Sequence, residues 1–328
     1  MPNDPTLTFR RDALVALAAA CACGRSTAAS AFPSRPVTLV VPFGPGGIAD
    51  LTARAVAQAM APTLGQAVVV DNRPGAGSIV ASQAVATAAP DGHTLLLMSN
   101  GHAVAAGLFK RLPYDAQRDF APVALLASFD LALFVDAGSR WRTLGQVLEH
   151  ARARPGRLTI GTVTAGSTQH LAARLFETRA GIEALVVPYK GTPAVLTALR
   201  GGEVDIGFEI LGPWLPQLQA GALRALALTA ARRWPALPEL PTMIEAGVPG
   251  FEVGSWNGLA APAQTPAEVL ARLNTIANAA LARPAVRAQL QALGARPTGG
   301  TAAQMATWLA NETRRWGAVI RDAKIVAE

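Results

Sequence analysis

One alternation limits the folds open to this chain more than any other feature. Short apolar runs rich in β-branched residues take turns with longer alanine-rich stretches at 37–41, 51–64, 68–70, 79–88 and 93–98. The short runs read as strands and the long ones as helices, so the pattern predicts parallel strands joined by crossover helices. The series restarts after Trp141, with helix 144–153, strand 158–161, helix 168–180 and strands 184–187 and 204–208. The expectation is therefore two α/β units in succession.

After Pro266 the apolar spacing predicts a purely helical tail over 266–327, which must pack its apolar face against the first unit. The chain then crosses between units twice, near 122–135 and 254–262, and two parallel connectors of this kind make a hinge. This gives a first domain of 32–130 plus 254–328 and a second of 131–253. Helix starts are expected at Thr143-x-x-Gln146, Thr265-Pro266-x-Glu268 and Thr301-x-x-Gln304, where a hydroxyl can accept from an otherwise orphaned amide.

Residues 1–31 read as an export signal. Arg10-Arg11 precede an apolar run at 13–22, and the small residues Ala29-Ser30-Ala31 invite cleavage before Phe32. The paired arginines fit either a twin-arginine or a general secretory signal. A lipid anchor at Cys21 is the competing reading, but Leu17 stands four residues before the cysteine where a lipobox places leucine three before. Cys21 and Cys23 are the chain's two cysteines, so a product starting at Phe32 has none for a disulfide. Removing the segment takes away Arg10, Arg11, Arg25, Asp4 and Asp12 and lowers the net charge from +7 to +6. That charge suits an anionic ligand. The arginines are scattered singly, without the basic clusters or aromatic ladders of a nucleic-acid binder.

The chemistry lies in the turns. Strand 37–41 runs into Phe43-Gly44-Pro45-Gly46-Gly47-Ile48-Ala49-Asp50 and then a helix. Glycines allow close approach, and a helix N-terminus offers backbone amides and partial positive charge, so such a turn holds an anion without a cationic side chain. The same residues fit G-x-G-x-x-A, with Asp71 at the distance of a ribose-binding acid, which leaves a dinucleotide site as the rival reading. Against it, Asp71 opens its own glycine bend, Asp71-Asn72-Arg73-Pro74-Gly75-Ala76-Gly77. Strand 158–161 enters a second turn of this kind, Thr162-Val163-Thr164-Ala165-Gly166-Ser167-Thr168. Ligands of open α/β sheets bind beyond the carboxyl ends of the strands, so the two turns are expected to face each other across a cleft. No G-x-S-x-G, H-E-x-x-H, phosphate-loop or nucleophilic-cysteine pattern occurs after residue 31, and His93, His102, His150 and His170 share no metal-ligating spacing. Neither an enzyme nor a cofactor is expected.

Several stretches together resemble the Bug-type receptors of tripartite tricarboxylate transporters: Val41-Pro42-Phe43-Gly44-Pro45-Gly46-Gly47, the bend from Asp71 to Gly77, Ala89-Pro90-Asp91-Gly92-His93, Leu112-Pro113-Tyr114-Asp115, Val187-Pro188-Tyr189-Lys190-Gly191 and Pro238-Glu239-Leu240-Pro241-Thr242. The resemblance covers nearly all of 32–324. It implies a type II periplasmic-binding-protein fold, two Rossmann-like domains joined by two crossover strands. It further implies a monomeric periplasmic receptor that takes a small carboxylate and passes it to membrane transporter subunits. The carboxylate would lie between the turn around Gly46 and the turn around Ser167, with Ser167 and Thr168 closing over it. Asn100, His102, Tyr189, Lys190, Gly191 and Thr192 would lie near the cleft. Two positions depart from the family pattern: Glu209-Ile210 replaces a frequent Asp-Asn, and Ala49 stands where a hydroxyl residue is common. A carboxylate at Glu209 would repel a second ligand carboxylate and suit an amine or hydroxyl. Trp214 and Trp256 could narrow the pocket or belong to the core. A periplasmic sensing partner and an exported nucleotide-cofactor enzyme are the other readings.

Overall fold

Val37–Val41 (β1) is a five-residue strand buried at every position but Thr38, the continuous apolar run of a strand covered on both faces. The structure, a computed structural model, describes residues 32–322 and residue 325; the export-signal reading over 1–31, with Cys21, lies outside them. β1 pairs in parallel with Val68–Asn72 (β2) on one side and Thr94–Ser99 (β3) on the other. Between them run the helices Ile48–Leu64 (α1), ended by Gly65 at φ 73°, and Ile79–Ala86 (α2). β3 passes without a loop into Asn100–Leu108 (α3).

Phe120–Asp136 (β4) is a single 17-residue strand that belongs to two sheets. Its first part, to Asp130, pairs antiparallel with Gly254–Pro262 (β9), which also borders β3. Its last part, from Leu131, pairs antiparallel with Ile206–Ile210 (β7) and Leu223–Leu228 (β8). The second sheet continues in parallel from β7 to Leu158–Val163 (β5) and Ala184–Tyr189 (β6). Its helices are Leu144–Ala153 (α4), Thr168–Ala180 (α5), Thr192–Arg200 (α6) and Leu215–Gln219 (α7). The whole order is β2-β1-β3-β9-β4-β7-β5-β6. Each sheet with its helices is called a lobe below.

The tail returns to the first lobe. Ala267–Ala282 (α8) packs on α1 and β4, and Ala302–Asp322 (α10) packs on α3 and β4. Pro284–Ala292 (α9) leads into Ala295–Pro297 (β10), which pairs with β4, so the tail is not purely helical as the spacing predicts. Ala295 buries against the sheet while Gly294, at φ 67°, makes the turn that frees the chain from α9. The connectors β4 and β9 are antiparallel, because the chain enters the second lobe along one and leaves along the other. Of the three expected helix starts, Thr301 and Gln304 exchange both bonds of a capping box, at 3.1 and 2.8 Å, and Thr143 accepts from Gln146. Thr265 instead donates to the Pro262 carbonyl at 2.8 Å, leaving Pro266 at the start of α8.

At the junction of the lobes the Asp130 carboxylate, on β4, takes a bidentate pair from Arg296 of β10 at 2.5 and 3.0 Å. The neighbouring Trp256 indole donates to Asn100 Oδ1, and Asn100 Nδ2 donates to the Gly254 carbonyl at 3.2 Å. Trp256 and Trp214 are therefore core residues. Trp256 locks α3 to the connector, and Trp214 packs on Phe134 with ring centroids 4.6 Å apart.

Candidate functional site

The turn after β1 is held from behind by one carboxylate. Asp50, in the first turn of α1 and 2 % exposed, accepts from the Gly46 amide at 3.0 Å, from Arg54 at 3.0 and 3.1 Å, and from Asn72 Nδ2 at 3.0 Å. Asn72 also donates to the Phe43 carbonyl at 2.9 Å, which ties the end of β2 to the turn. Burial is the largest influence on Asp50 and pushes its pKa up, but the bonds from Arg54, Gly46 and Asn72 together hold it below the usual value. Gly46 sits at φ 84°, a conformation that a β-branched residue rarely adopts. Gly47 is the residue before α1 and supplies no side-chain cap. The first amides of a helix have no partner inside it, so those of Ile48 and Ala49 remain available to a ligand.

The turn after β5 looks alike and is built differently. Gly166 is at φ 79°, and Ser167 precedes α5. The Ser167 hydroxyl donates to the Val163 carbonyl at 3.0 Å and accepts from the His170 amide at 3.2 Å. It caps its own helix. Ser167, expected to close over the ligand, uses its hydroxyl to hold the turn and does not line the space between the lobes. Thr168, one residue on, pairs with Ser255 of β9 at 3.0 Å and does reach the space between the lobes.

That space is a cavity of about 30 Å³ between the turns. Such a volume suits water-sized contents, so the lobes are closed against each other. Of the expected residues, Phe43, Gly44, Gly47, Ile48, Ala49, Thr168, Gly191 and Thr192 line it. Pro45 and Gly46 are exposed and do not line it. Thr162, Ala165 and Gly166 support the second turn, and Lys190 is exposed, with its carbonyl toward Gly44. Tyr189 donates to Glu203 at 3.0 Å; burial first, then Glu203, pushes its pKa up to about 12. Asn100 serves the connector as described. His102 is in the core of the first lobe, where it meets Ser82 Oγ at 2.9 Å and the Ala116 carbonyl at 2.8 Å and stacks on Tyr114; burial pushes its pKa down to about 4. None of these last residues lines the cavity.

Glu209 is fully buried and does not reach the cavity either. Its Oε1 accepts from Gln169 Nε2 and from the Ile210 amide at 2.8 Å, and its Oε2 accepts from Thr192 Oγ1 at 2.9 Å. Glu209, expected to face the ligand, stands behind Gln169 and Thr192, which line the cavity. Burial pushes its pKa up, against the pull of the three donors.

The lining residues that sequence reasoning missed are Ser99, Val163, Gln169, Ile210, Ser255 and Asn257. Ser99, Val163 and Ile210 end β3, β5 and β7, and the rule that ligands sit beyond strand carboxyl ends points to them. Ser99 Oγ and Asn257 Oδ1 are buried without a partner among the described residues. Larger concavities lie elsewhere, one of about 910 Å³ on the outside of the second lobe and one of about 690 Å³ beside Arg296. Neither meets the turns. Asp71, the acid of the dinucleotide reading, pairs with Arg73 at 2.8 Å away from the cavity.

The family model described as tripartite tricarboxylate transporter family receptor matches residues 52–325. The chain belongs to this receptor family. A UPF0065 protein from the tcbD-tcbE intergenic region of Pseudomonas sp. strain P51 is 42 % identical over 314 residues, 95 % of this chain and 94 % of that one. BugT of Bordetella pertussis is 36 % identical, over 90 % of this chain and 91 % of BugT. Among solved structures, R. palustris Rpa4515 with adipate superposes with a TM-score of 0.86 at 38 % identity, over 90 % of this chain and 99 % of that one. The receptor has the type II periplasmic-binding-protein fold that the resemblance implies.

In this receptor the lobes touch through backbone. The Gly77 amide of the first lobe donates to the Ala165 carbonyl of the second at 3.0 Å. A Cβ at Gly44 would lie 3.2 Å from the Lys190 carbonyl oxygen, and one at Gly166 3.0 Å from Gly77 Cα. No helix among the described residues is long and apolar enough to cross a membrane.

Proposed function

We propose that this receptor works in the periplasm, closes its two lobes around a small carboxylate, and presents the closed complex to the membrane subunits of a tripartite tricarboxylate-type transporter. The observation that carries the reading is the uncapped start of α1 at Gly47, whose amides open into the interlobe cavity. The adipate in the structure of Rpa4515 supports a carboxylate as the ligand class. The cavity is too small for an acid of several carbons to enter without the lobes parting, so 32–130 plus 254–328 and 131–253 act as two bodies about β4 and β9. Cleavage after Ala31 delivers a monomer that needs no cofactor.

A thermal-shift screen of mono- and dicarboxylates tests the ligand class, since an acid at a hundred times its dissociation constant stabilises by roughly 2.7 kcal/mol. Stabilisation by nucleotides or amines and by no acid would overturn it. Delivery is tested by acid-dependent capture of the transporter's membrane subunits on immobilised receptor, which fails if the partner is a sensor instead.

A further inference from the structure

We propose that Glu209 is a positioning residue that, by drawing the Gln169 amide nitrogen and the Thr192 hydroxyl proton onto its carboxylate, makes the second-lobe wall of the cavity accept hydrogen bonds, so that the bound acid carries a hydroxyl or ammonium group facing that wall. The inference rests on the carboxylate-receptor reading and goes beyond it to the rest of the ligand.

A threonine hydroxyl has a single proton, and that of Thr192 goes to Glu209 at 2.9 Å, so toward the cavity its oxygen can only accept. Gln169 turns its nitrogen to Glu209, and the other end of the same amide, the carbonyl oxygen, is thereby turned away from it. The Ile210 amide at 2.8 Å adds a third donor to Glu209, an arrangement that suits a carboxylate rather than a carboxylic acid. A further acceptor stands on the connector. Asn257 donates through Nδ2 to the Trp256 carbonyl at 3.0 Å, which fixes the amide's orientation, and its Oδ1 is buried at the cavity without a partner among the described residues. The first lobe offers amide donors at the start of α1. The side chains of the second-lobe wall thus present acceptors, and its donors are backbone amides, those at the start of α6 included, where Gly191 makes no side-chain cap. A ligand with carboxylates at both ends would set one of them against the side-chain oxygens of Thr192, Gln169 and Asn257, which offer it no proton.

The test is calorimetry on sets of acids matched in chain length from three to six carbons, each set holding the plain acid, its terminal hydroxy and amino derivatives, and the diacid. The hydroxy or amino acid is expected to bind at least about tenfold more tightly than both the plain acid and the diacid of its length, as an unanswered buried acceptor requires. Glu209→Gln, which brings its own amide protons and lets Gln169 turn over, should bring that ratio below about threefold, and Thr192→Val should lower it by about half that factor, while Glu209→Asp, which keeps the charge, should retain it. Loss of folding alone does not change the ratio measured on the folded fraction, and Thr192→Val gives a second reading that leaves the buried carboxylate in place. A wild-type preference for the diacid or the plain acid overturns the inference and leaves the receptor reading standing, as does a ratio that survives both Glu209→Gln and Thr192→Val. If no acid of any set binds, the carboxylate-receptor reading fails and this inference with it.

Discussion

The turns after β1 and β5 share a strand before, a helix after and a left-handed glycine between, yet they do different work. One residue separates them. Gly47 leaves the first amides of α1 without a side-chain cap, whereas the Ser167 hydroxyl takes one amide of α5, that of His170. A silent capping position, at Gly47 and again at Gly191 before α6, leaves amides that the proposed anion can use. The carboxylate that organises the first turn, Asp50, lies behind it and leaves its front open.

The comparison breaks most severely at the left-handed glycines. Gly46→Val places a β-branched residue at φ 84° with its Cβ about 3.4 Å from Pro193, and the strain of about 3 kcal/mol should lower affinity for the best acid of the thermal-shift screen roughly a hundredfold. Gly166→Val should weaken binding by another route, because its side chain would meet Gly77 and prop the lobes apart. Small-angle scattering with and without the acid separates the two: a closed Gly166→Val complex would show that the second turn does not set closure.

Next in size is Asp50→Asn, which loses the charge that gathers Gly46, Arg54 and Asn72 and should cost affinity about tenfold. It also has a pH signature. The folded pKa of Asp50 lies below its unfolded value of 3.8, so its contribution to stability is complete above the unfolded value and disappears as pH falls through the folded one. Melting temperatures of wild type and Asp50→Asn should differ at neutral pH and converge in acid. Curves that stay parallel would remove Asp50 from the account.

Smaller still is Ser167→Ala. As a lost cap it should lower stability by about 1 kcal/mol while the dissociation constant changes less than about twofold. A loss of affinity without a loss of stability would return Ser167 to the ligand. The smallest effect sharpens the contrast from the other side: Gly47→Ser gives α1 a cap, adding a few tenths of a kcal/mol to the stability of the free receptor. It should weaken acid binding, because the new hydroxyl takes an amide and its Cβ stands 3.2 Å from Thr192 Oγ1.

Much of this architecture is legible in the amino acids, for a simple reason. Buried parallel strands need apolar runs, and β3 shows one in Leu95–Met98 and β1 one in Leu39–Val41, while the half-exposed edge strand β2 is marked by its three valines. What escapes is structure without local signal. α3 begins Asn100-Gly101-His102, poor helix formers held in place by the Trp256–Asn100 bond and by packing on α10. β10 is three residues long and exists through its pairing with β4. At the site, a position in sequence gives the end of a strand but not the direction of its side chains. Glu209 and Ile210 are neighbours at the end of β7, and the one that reaches the cavity is Ile210, as the alternation of strand faces allows. Ser255 and Asn257 line the cavity from β9 by the same alternation, with Trp256 between them turned to Asn100. Family resemblance points to the two turns that border the cavity and does not show that the hydroxyl of Ser167 holds its own turn, because a serine before a helix can serve either the ligand or the helix.

The single strand β4 has a bearing on how the molecule comes apart. Its residues to Asp130 complete one sheet and those from Leu131 complete the other, with no break in the backbone between them. Melting either sheet frees part of a strand that the other needs as a neighbour, and Asp130, the residue at the changeover, is itself clamped by Arg296. The two lobes, proposed to swing separately in function, are thus joined in unfolding, and denaturant should release them in one cooperative transition with a slope set by the surface of the whole chain.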